Sequence, residues 1–208
     1  MKFDAAQFAD NYPSEDPHQS AARERGIELG ALDTTAGAGA FIRYIAELIS
    51  AQSVVEIGTG SGVGTLWLLK GVINSGVITT IDPEVQHIQV AKQVLNDADI
   101  PPNRYRLITS EYLEVMRKLA DRAYDLVVFR GNPEDIFDVI DESHRVLRTG
   151  GILAIDHFYG GGKVPDPAQR DPKTVALRDA GKFLKSLSDT WSISLNPIGD
   201  AVLLATKL

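Results

Sequence analysis

The chain has 208 residues, with 28 Asp or Glu, 21 Lys or Arg and no Cys. This length predicts one domain that can bury an adequate core without disulfides. The lack of cysteine excludes disulfides, thiolate metal sites and a cysteine nucleophile. A net charge of −7 argues against binding to nucleic acid or to an anionic membrane. Because no apolar run resembles a signal or membrane span, we expect a cytoplasmic protein.

The N-terminal part predicts a polar arm and two helices. We expect a short helix around residues 3–8 and a second over 20–32, with Ser20 as its N-cap. Apolar residues at helical spacing over 41–49 predict a third, amphipathic helix. We expect residues 1–30 to form an N-terminal arm and helix, and residues 31–208 the main domain.

Strands and helices alternate from residue 53 onwards. Strands are predicted at 53–57, 77–81, 105–109, 126–129, 151–155, 191–195 and 201–206, and helices at 63–70, 83–97, 112–120, 136–147 and 174–188. This order predicts an α/β fold, a doubly wound seven-stranded sheet that is mainly parallel and has helices on both faces. The short turn at residues 197–200 predicts that the last two strands form an antiparallel hairpin.

A glycine-rich loop follows the first predicted strand. Its glycines are Gly58, Gly60, Gly62 and Gly64, and such a loop lets a ligand approach the backbone and the next helix N-terminus. The dinucleotide fingerprint would need glycine at position 63 or 65, where this chain has Val and Thr, which disfavours a nicotinamide oxidoreductase. Glu56 precedes the loop, and its carboxylate suits a ligand that carries an ammonium group rather than a pyrophosphate.

Two further strand ends offer candidate ligand contacts. Asp82 closes the second strand, where a carboxylate can accept both hydroxyls of a ribose. Ser110, Glu111 and Tyr112 follow the third strand and could bracket an adenine. Each feature also has a purely structural interpretation, because Asp before Pro and Ser before a helix are common N-caps. Together, on successive strand ends, they favour a ligand site.

These segments resemble the class I S-adenosylmethionine (SAM)-dependent methyltransferases. More closely, the chain resembles the bacterial O-methyltransferases related to the catechol and caffeoyl-CoA enzymes, especially mycobacterial and corynebacterial members. The resemblance rests on residues 55–62, 79–84, 124–128 and 150–156, together with 34–41. It implies a Rossmann-like fold, SAM as cofactor, a small hydroxylated acceptor and a homodimer.

The resemblance also implies roles for individual residues. Glu56 and Gly58 would face the methionine part of SAM, and Asp82 its ribose. Tyr112 would face the adenine, with Ser110 and Glu111 beside it. Thr35 would close the pocket from the N-terminal side.

The chain departs from the family at the metal ligands. Members that use a divalent cation have an Asp after the fourth strand and an Asp-Asn pair after the fifth, where this chain has Arg130 and the pair Asp156-His157. Because an arginine cannot ligate magnesium and repels it, we predict no metal site of the family's usual form.

The same three residues are the candidate catalytic groups. Arg130 could stabilise a developing phenolate, or hold a carboxylate of the substrate or cofactor. His157 could be a general base, and Asp156 could orient it or remain a weak cation ligand. Arg130 could instead only pair with Asp156, and His157 could be a structural loop residue. The leading hypothesis is therefore a SAM-dependent O-methyltransferase, and the main alternative is a protein that binds SAM or S-adenosylhomocysteine (SAH) without catalysis.

Overall fold

A computed structural model of the chain describes residues 5–208. Its helices are α1 (Ala5–Asp10), α2 (Pro17–Leu29), α3 (Ala36–Leu48), α4 (Val63–Gly71), α5 (Val85–Asp97), α6 (Tyr112–Met116), α7 (Ile136–Val146) and α8 (Pro172–Ser186). Its strands are β1 (Ser53–Ile57), β2 (Val77–Asp82), β3 (Tyr105–Thr109), β4 (Tyr124–Phe129), β5 (Leu147–Ile155), β6 (Trp191–Asn196) and β7 (Val202–Lys207).

The seven strands form one sheet in the order β3-β2-β1-β4-β5-β7-β6. The first five strands are parallel, and β7 pairs antiparallel with both β5 and β6. This confirms the predicted doubly wound α/β sheet with its C-terminal hairpin. The chain reverses its direction of travel across the sheet between β1 and β4, and ligands of such sheets bind beyond the carboxyl ends of the strands at this point.

Apolar residues cover both faces of the sheet, because successive side chains of a strand point to opposite faces. Val55 and Ile57 of β1 belong to a core with α6, α7 and α8, whereas Val54 belongs to a second core with α2 to α5. All three are fully buried. The two-sided burial explains why the parallel strands read as continuous apolar runs in the sequence.

The predicted start of the second helix was wrong. α2 begins at Pro17, and its N-cap is Asp16, not Ser20. Asp16 accepts a hydrogen bond from the backbone N–H of Gln19 at 2.8 Å, and Gln19 accepts one in return from the backbone N–H of Asp16 at 3.0 Å. This reciprocal capping box satisfies two donors at once, and Pro17 is favoured at the first helical position, so the cap lies upstream of Ser20.

Other boundaries differ by a few residues. α3 begins at Ala36, with Thr35 as its N-cap, which is five residues before the predicted start of the amphipathic helix. The predicted helix at 3–8 corresponds to α1, although residues 1–4 lie outside the described part of the chain. No helix within residues 5–208 combines the length and the apolar character that crossing a membrane requires.

Candidate functional site

The register of the central strands brings the predicted site residues together. Ile57 pairs with Phe129, and Phe129 pairs with Ile155, so β1, β4 and β5 end at the same level. The residues that follow these ends, Gly58, Arg130 and Asp156, are therefore neighbours, and each donates its backbone N–H to a carbonyl of the adjacent strand.

A buried charge cluster lies at this edge. Nη2 of Arg130 donates to Oε1 of Glu56, and Nη1 of Arg130 lies 3.6 Å from Oδ2 of Asp156. The side chains are 3%, 0% and 0% exposed, respectively. Thr65 donates its hydroxyl to the second oxygen of Glu56 at 2.5 Å. One guanidinium thus faces two carboxylates in the interior, where unpaired charges would be costly.

The electrostatics of Glu56 reflect two opposing effects. Burial raises the pKa of its carboxyl group, because desolvation penalises the charged form, while the Arg130 charge and the Thr65 hydroxyl lower it. The net pKa lies above the ordinary value. Glu56 is thus a buried partner of Arg130 and does not line either of the two cavities described below.

Gly64 makes room for this ion pair. A Cβ atom at position 64 would lie 2.7 Å from Oε1 of Glu56 and would collide with Nη2 of Arg130. Gly62, two residues earlier at the N-cap of α4, faces Ala91 of α5. Neither of these two predicted cofactor residues lines the larger cavity; Gly64 shapes the interior beneath it.

The larger of two cavities has a volume of about 660 Å³. Its wall includes the predicted residues Gly58, Gly60, Asp82, Glu111, Tyr112 and Arg130. Carboxylates of Asp82, Glu84, Glu111, Asp135 and Asp171 also line it, against the cationic side chains of Arg130, Lys163 and Lys173. The acidic surplus favours a ligand with positive charge, and the volume is within the range of small-molecule sites.

Asp82 is already hydrogen-bonded on both carboxylate oxygens. Oδ2 accepts from the backbone N–H of Gly60 at 3.0 Å, and Oδ1 accepts from that of Glu84 at 2.9 Å. Nδ1 of His87 lies 3.1 and 3.2 Å from the two oxygens. The sequence indicated no partner for His87, because the contact depends on the first turn of α5 folding back over the end of β2.

Tyr112 fixes the loop after β4. Its hydroxyl donates to Oδ2 of Asp135 and accepts from the backbone N–H of Asn132 at 3.2 Å. Burial and the neighbouring Asp135 carboxylate raise the pKa of Tyr112. Ser110, by contrast, is half-buried and does not line the larger cavity.

The smaller cavity has a volume of about 440 Å³. Among its lining residues are the predicted Thr35, Arg130, Asp156 and His157. Apolar wall comes from Leu32, Phe129, Pro133 and Leu177. The two cavities share the wall residues Leu32, Arg130, Gly131, Pro133, Gly160 and Leu177, so they meet at Arg130. Thr35 therefore lines the smaller cavity, whereas Asp82 lines the larger one.

Asp156 and His157 contact each other through the backbone. Oδ1 of Asp156 accepts the backbone N–H of His157 at 2.8 Å, and Oδ2 of Asp156 has no hydrogen-bond partner. His157 has a left-handed backbone with φ 53°, and its Nε2 lies 3.1 Å from the carbonyl oxygen of Asp33. Asp33 and Leu32 were not recognised from the sequence, since they lie in the short connection between α2 and α3.

Comparison with known proteins places this geometry in a family. The O-methyltransferase family profile matches residues 19–208. A protein of Mycobacteroides abscessus assigned as an O-methyltransferase is 42% identical over 194 residues, which cover 93% of this chain and 90% of that protein. A protein of Mycobacterium marinum with the same assignment is 40% identical and covered to 86%.

Solved structures share the fold. A crystal structure of a Corynebacterium glutamicum protein superposes with a TM-score of 0.88 at 27% identity, covering 97% of this chain and 94% of that one. The O-methyltransferase TomG of Streptomyces achromogenes, crystallised in complex with SAM, has a TM-score of 0.82 at 24% identity with the same coverage. The similarity to TomG demonstrates the fold alone.

Proposed function

Because this chain belongs to the O-methyltransferase family, we propose that it transfers the methyl group of SAM to a hydroxyl group of a small, phenolic acceptor. The observation that carries the proposal is the pair of cavities that meet at Arg130. One has an acidic wall suited to a sulfonium cofactor, and the other a mostly apolar wall suited to a ring.

The residues of the larger cavity fit SAM. Asp82 would hold the ribose hydroxyls, and the backbone of Gly58 and Gly60 would contact the amino-acid part. Glu111 and Tyr112 flank the adenine. Nδ1 of His87 lies close to both carboxylate oxygens of Asp82, so it would give up one of these contacts if the ribose bound there. SAM supplies an activated methyl group when it is bound.

Arg130 would face both ligands. Its charge is held between Glu56 and Asp156, and it lines both cavities. A guanidinium in this position attracts the carboxylate of the cofactor and stabilises negative charge that develops on the acceptor oxygen. The side chain is held in place by Glu56, so little reorganisation accompanies the reaction.

The acceptor hydroxyl group must lose its proton as the methyl group arrives. The O–C bond forms while the C–S bond breaks, and the proton passes from the hydroxyl oxygen to a base in the smaller cavity. His157 lines this cavity and is the proposed base, with Asp156 holding its backbone. Apolar walls exclude water from the reacting groups.

The residues present do not fit the divalent metal of the wider family. A cation site needs several oxygen ligands with negative charge, and Arg130 occupies the position of one of them, with its guanidinium 3.6 Å from Asp156. Within residues 5–208, no group of three or more acidic or histidine side chains is arranged to hold a metal. The proposed reaction therefore runs without this metal.

The test combines binding and turnover. Calorimetry with SAH and SAM is expected to show binding at one site, and a panel of catechols, phenols and hydroxybenzoates is expected to yield a methylated product. Absence of binding would overturn the proposal. A chelator is expected to leave the rate unchanged; a large loss that magnesium restores would contradict the metal-free reaction.

A second function is favoured by the same Arg130. If the loss of a metal ligand reflects loss of catalysis, the chain binds SAM or SAH without turnover. Tight SAH binding with no product from the whole panel would identify this alternative.

We also propose a cytoplasmic homodimer with a small-molecule acceptor and no nucleic acid partner. The net charge of −7 supports the last point, because it repels phosphate backbones. Exposed apolar side chains on the N-terminal helices, such as Ile27 of α2 and Tyr44 of α3, support association. Analytical ultracentrifugation tests the dimer directly, and a monomer at micromolar concentration would contradict it.

A further inference from the structure

One residue of the α2–α3 connection contacts both halves of the proposed site. Oδ1 of Asp33 accepts the backbone N–H of Ser61, which lies in the glycine loop at the cofactor side. The carbonyl oxygen of the same residue lies 3.1 Å from Nε2 of His157, which lines the smaller cavity. The distance from Ser61 N to Asp33 Oδ1 is 3.0 Å.

The Asp33 carboxylate occupies space that is left by two glycines. A Cβ atom at Gly60 would collide with Oδ1 of Asp33, and one at Gly26 of α2 would collide with Oδ2. Two glycines from different elements thus leave space for one carboxylate. Side chains at these positions would push the connection away from the glycine loop.

The contact with His157 defines which ring nitrogen carries the proton. A carbonyl oxygen can only accept, so Nε2 must donate, and in the neutral imidazole Nδ1 is then the nitrogen with the free lone pair. The left-handed backbone of His157 is strained for a residue with a side chain. The hydrogen bonds to Asp33 and Asp156 hold the residue in this conformation.

We propose that Asp33 is a positioning residue that couples the cofactor loop to His157. Its carboxylate anchors the connection to the glycine loop, and its carbonyl oxygen holds His157 as the Nε2–H tautomer, so that Nδ1 accepts the proton of the acceptor hydroxyl. The assignment of Nδ1 as the base rests on the proposed function. The Nε2–H tautomer of His157 and the anchoring of the connection to the glycine loop do not depend on the proposed function.

The test uses two variants of the full-length protein. Asp33→Ala removes the carboxylate acceptor for Ser61, whereas Asp33→Asn keeps an oxygen in its place. Asp179→Ala is the matched control, because Asp179 lies on the surface of α8, where it pairs with Lys182. Two readouts are combined: the histidine ring ¹⁵N signals of the ligand-free protein in alkaline buffer, and SAH affinity by calorimetry.

We expect the wild-type His157 signals, assigned with His157→Gln, to show the Nε2–H tautomer. Asp33→Ala is expected to shift these signals and to weaken SAH binding by about tenfold, as for a lost charged hydrogen bond. Asp33→Asn is expected to keep the His157 signals and the SAH affinity close to those of the wild type. The control Asp179→Ala is expected to change neither the signals nor the affinity.

A wild-type Nδ1–H tautomer would overturn the proposal, as would an Asp33→Ala protein with unchanged His157 signals and SAH affinity. Failure of the wild-type protein to bind SAH would instead contradict the proposed function, and the histidine signals would still decide the role of Asp33. Circular dichroism and thermal unfolding show whether each variant is folded; if Asp33→Ala does not fold, Asp33→Asn and the wild-type tautomer decide.

Discussion

Arg130 donates through Nη2 to Oε1 of Glu56 in the interior of the protein, where the carboxyl ends of β4 and β1 lie side by side. The pair is almost completely shielded from solvent, and Asp156 is the second carboxylate near the same guanidinium. Glu56 is thus paired internally and does not line either cavity, and its predicted role facing the methionine part of SAM stays a prediction. The energetics of the ion pair can be measured without knowledge of the acceptor.

Replacing Arg130 with Met is expected to lower the free energy of unfolding by about 3–5 kcal/mol, because two buried carboxylates lose their cation. Urea unfolding monitored by tryptophan fluorescence measures the change. The double variant Glu56→Gln with Arg130→Met is expected to recover part of the loss, since one of the two unpaired charges is removed. If the double variant is as unstable as the sum of the single variants, the two residues are not coupled.

Replacing Gly64 with Ala is expected to lower the free energy of unfolding by about 1–3 kcal/mol, because the new methyl group overlaps the Arg130–Glu56 pair. Alanine is otherwise favoured over glycine in a helix by roughly 0.5–1 kcal/mol. The sign of the change in the free energy of unfolding therefore shows whether steric overlap with the ion pair or the helix propensity of alanine dominates. A more stable variant in thermal unfolding would show that the ion pair does not fill this space.

Replacing Asp82 and replacing His87 are expected to change the affinity for SAH differently. Asp82→Asn is expected to weaken SAH binding by about tenfold, because a charged acceptor for the ribose hydroxyls is lost. His87→Ala is expected to leave SAH affinity unchanged or to increase it, because His87 competes for the same carboxylate. Calorimetry measures both, with Asp179→Asn on the surface as the control. Weaker binding by His87→Ala would mean that His87 contacts the ligand.

Asp125 is expected to make stability depend on acid pH. Burial raises its pKa, but the backbone amides of Ser53 and Gln52 and the guanidinium of Arg148 lower it more, so the folded-state pKa lies below the ordinary value of an aspartate. The contribution of a group with a lowered pKa is present above the unfolded-state pKa and is lost as the pH falls through the folded-state pKa.

The measurement compares the wild type with Asp125→Asn. We expect the variant to be less stable by about 1–2 kcal/mol at pH 7, because charge-assisted hydrogen bonds are weakened. We expect this difference to shrink as the pH falls below about 4. A difference that stays constant from pH 7 to pH 3 would contradict the assignment.

The sheet could be predicted from the sequence because local patterns determine it. The β1 and β3 boundaries were predicted to the residue, since each strand is a short run rich in β-branched or apolar residues. The hairpin of β6 and β7 followed from the short turn between them. The Ser20 cap was wrong because the reciprocal bond between Asp16 and Gln19 outcompetes it.

The site was only partly predictable. Motif spacing located Asp82 and Arg130, which line the larger cavity. It could not show that Arg130 engages Glu56, because that contact depends on the pairing of β1 with β4. Asp33 was missed for a related reason: its carboxylate reaches Ser61, 28 positions away in the chain, only once α2 has packed beside the glycine loop.

Leu32 stands 60% exposed on the wall that both cavities share. A single compound could therefore extend from one cavity into the other past this side chain. Joining a nucleoside to an aromatic ring through a short linker would make the second contact intramolecular, and its effective concentration would be in the millimolar range for a short flexible linker. Such a bisubstrate ligand would bind across the boundary between the two cavities, which would give a basis for selective inhibitors.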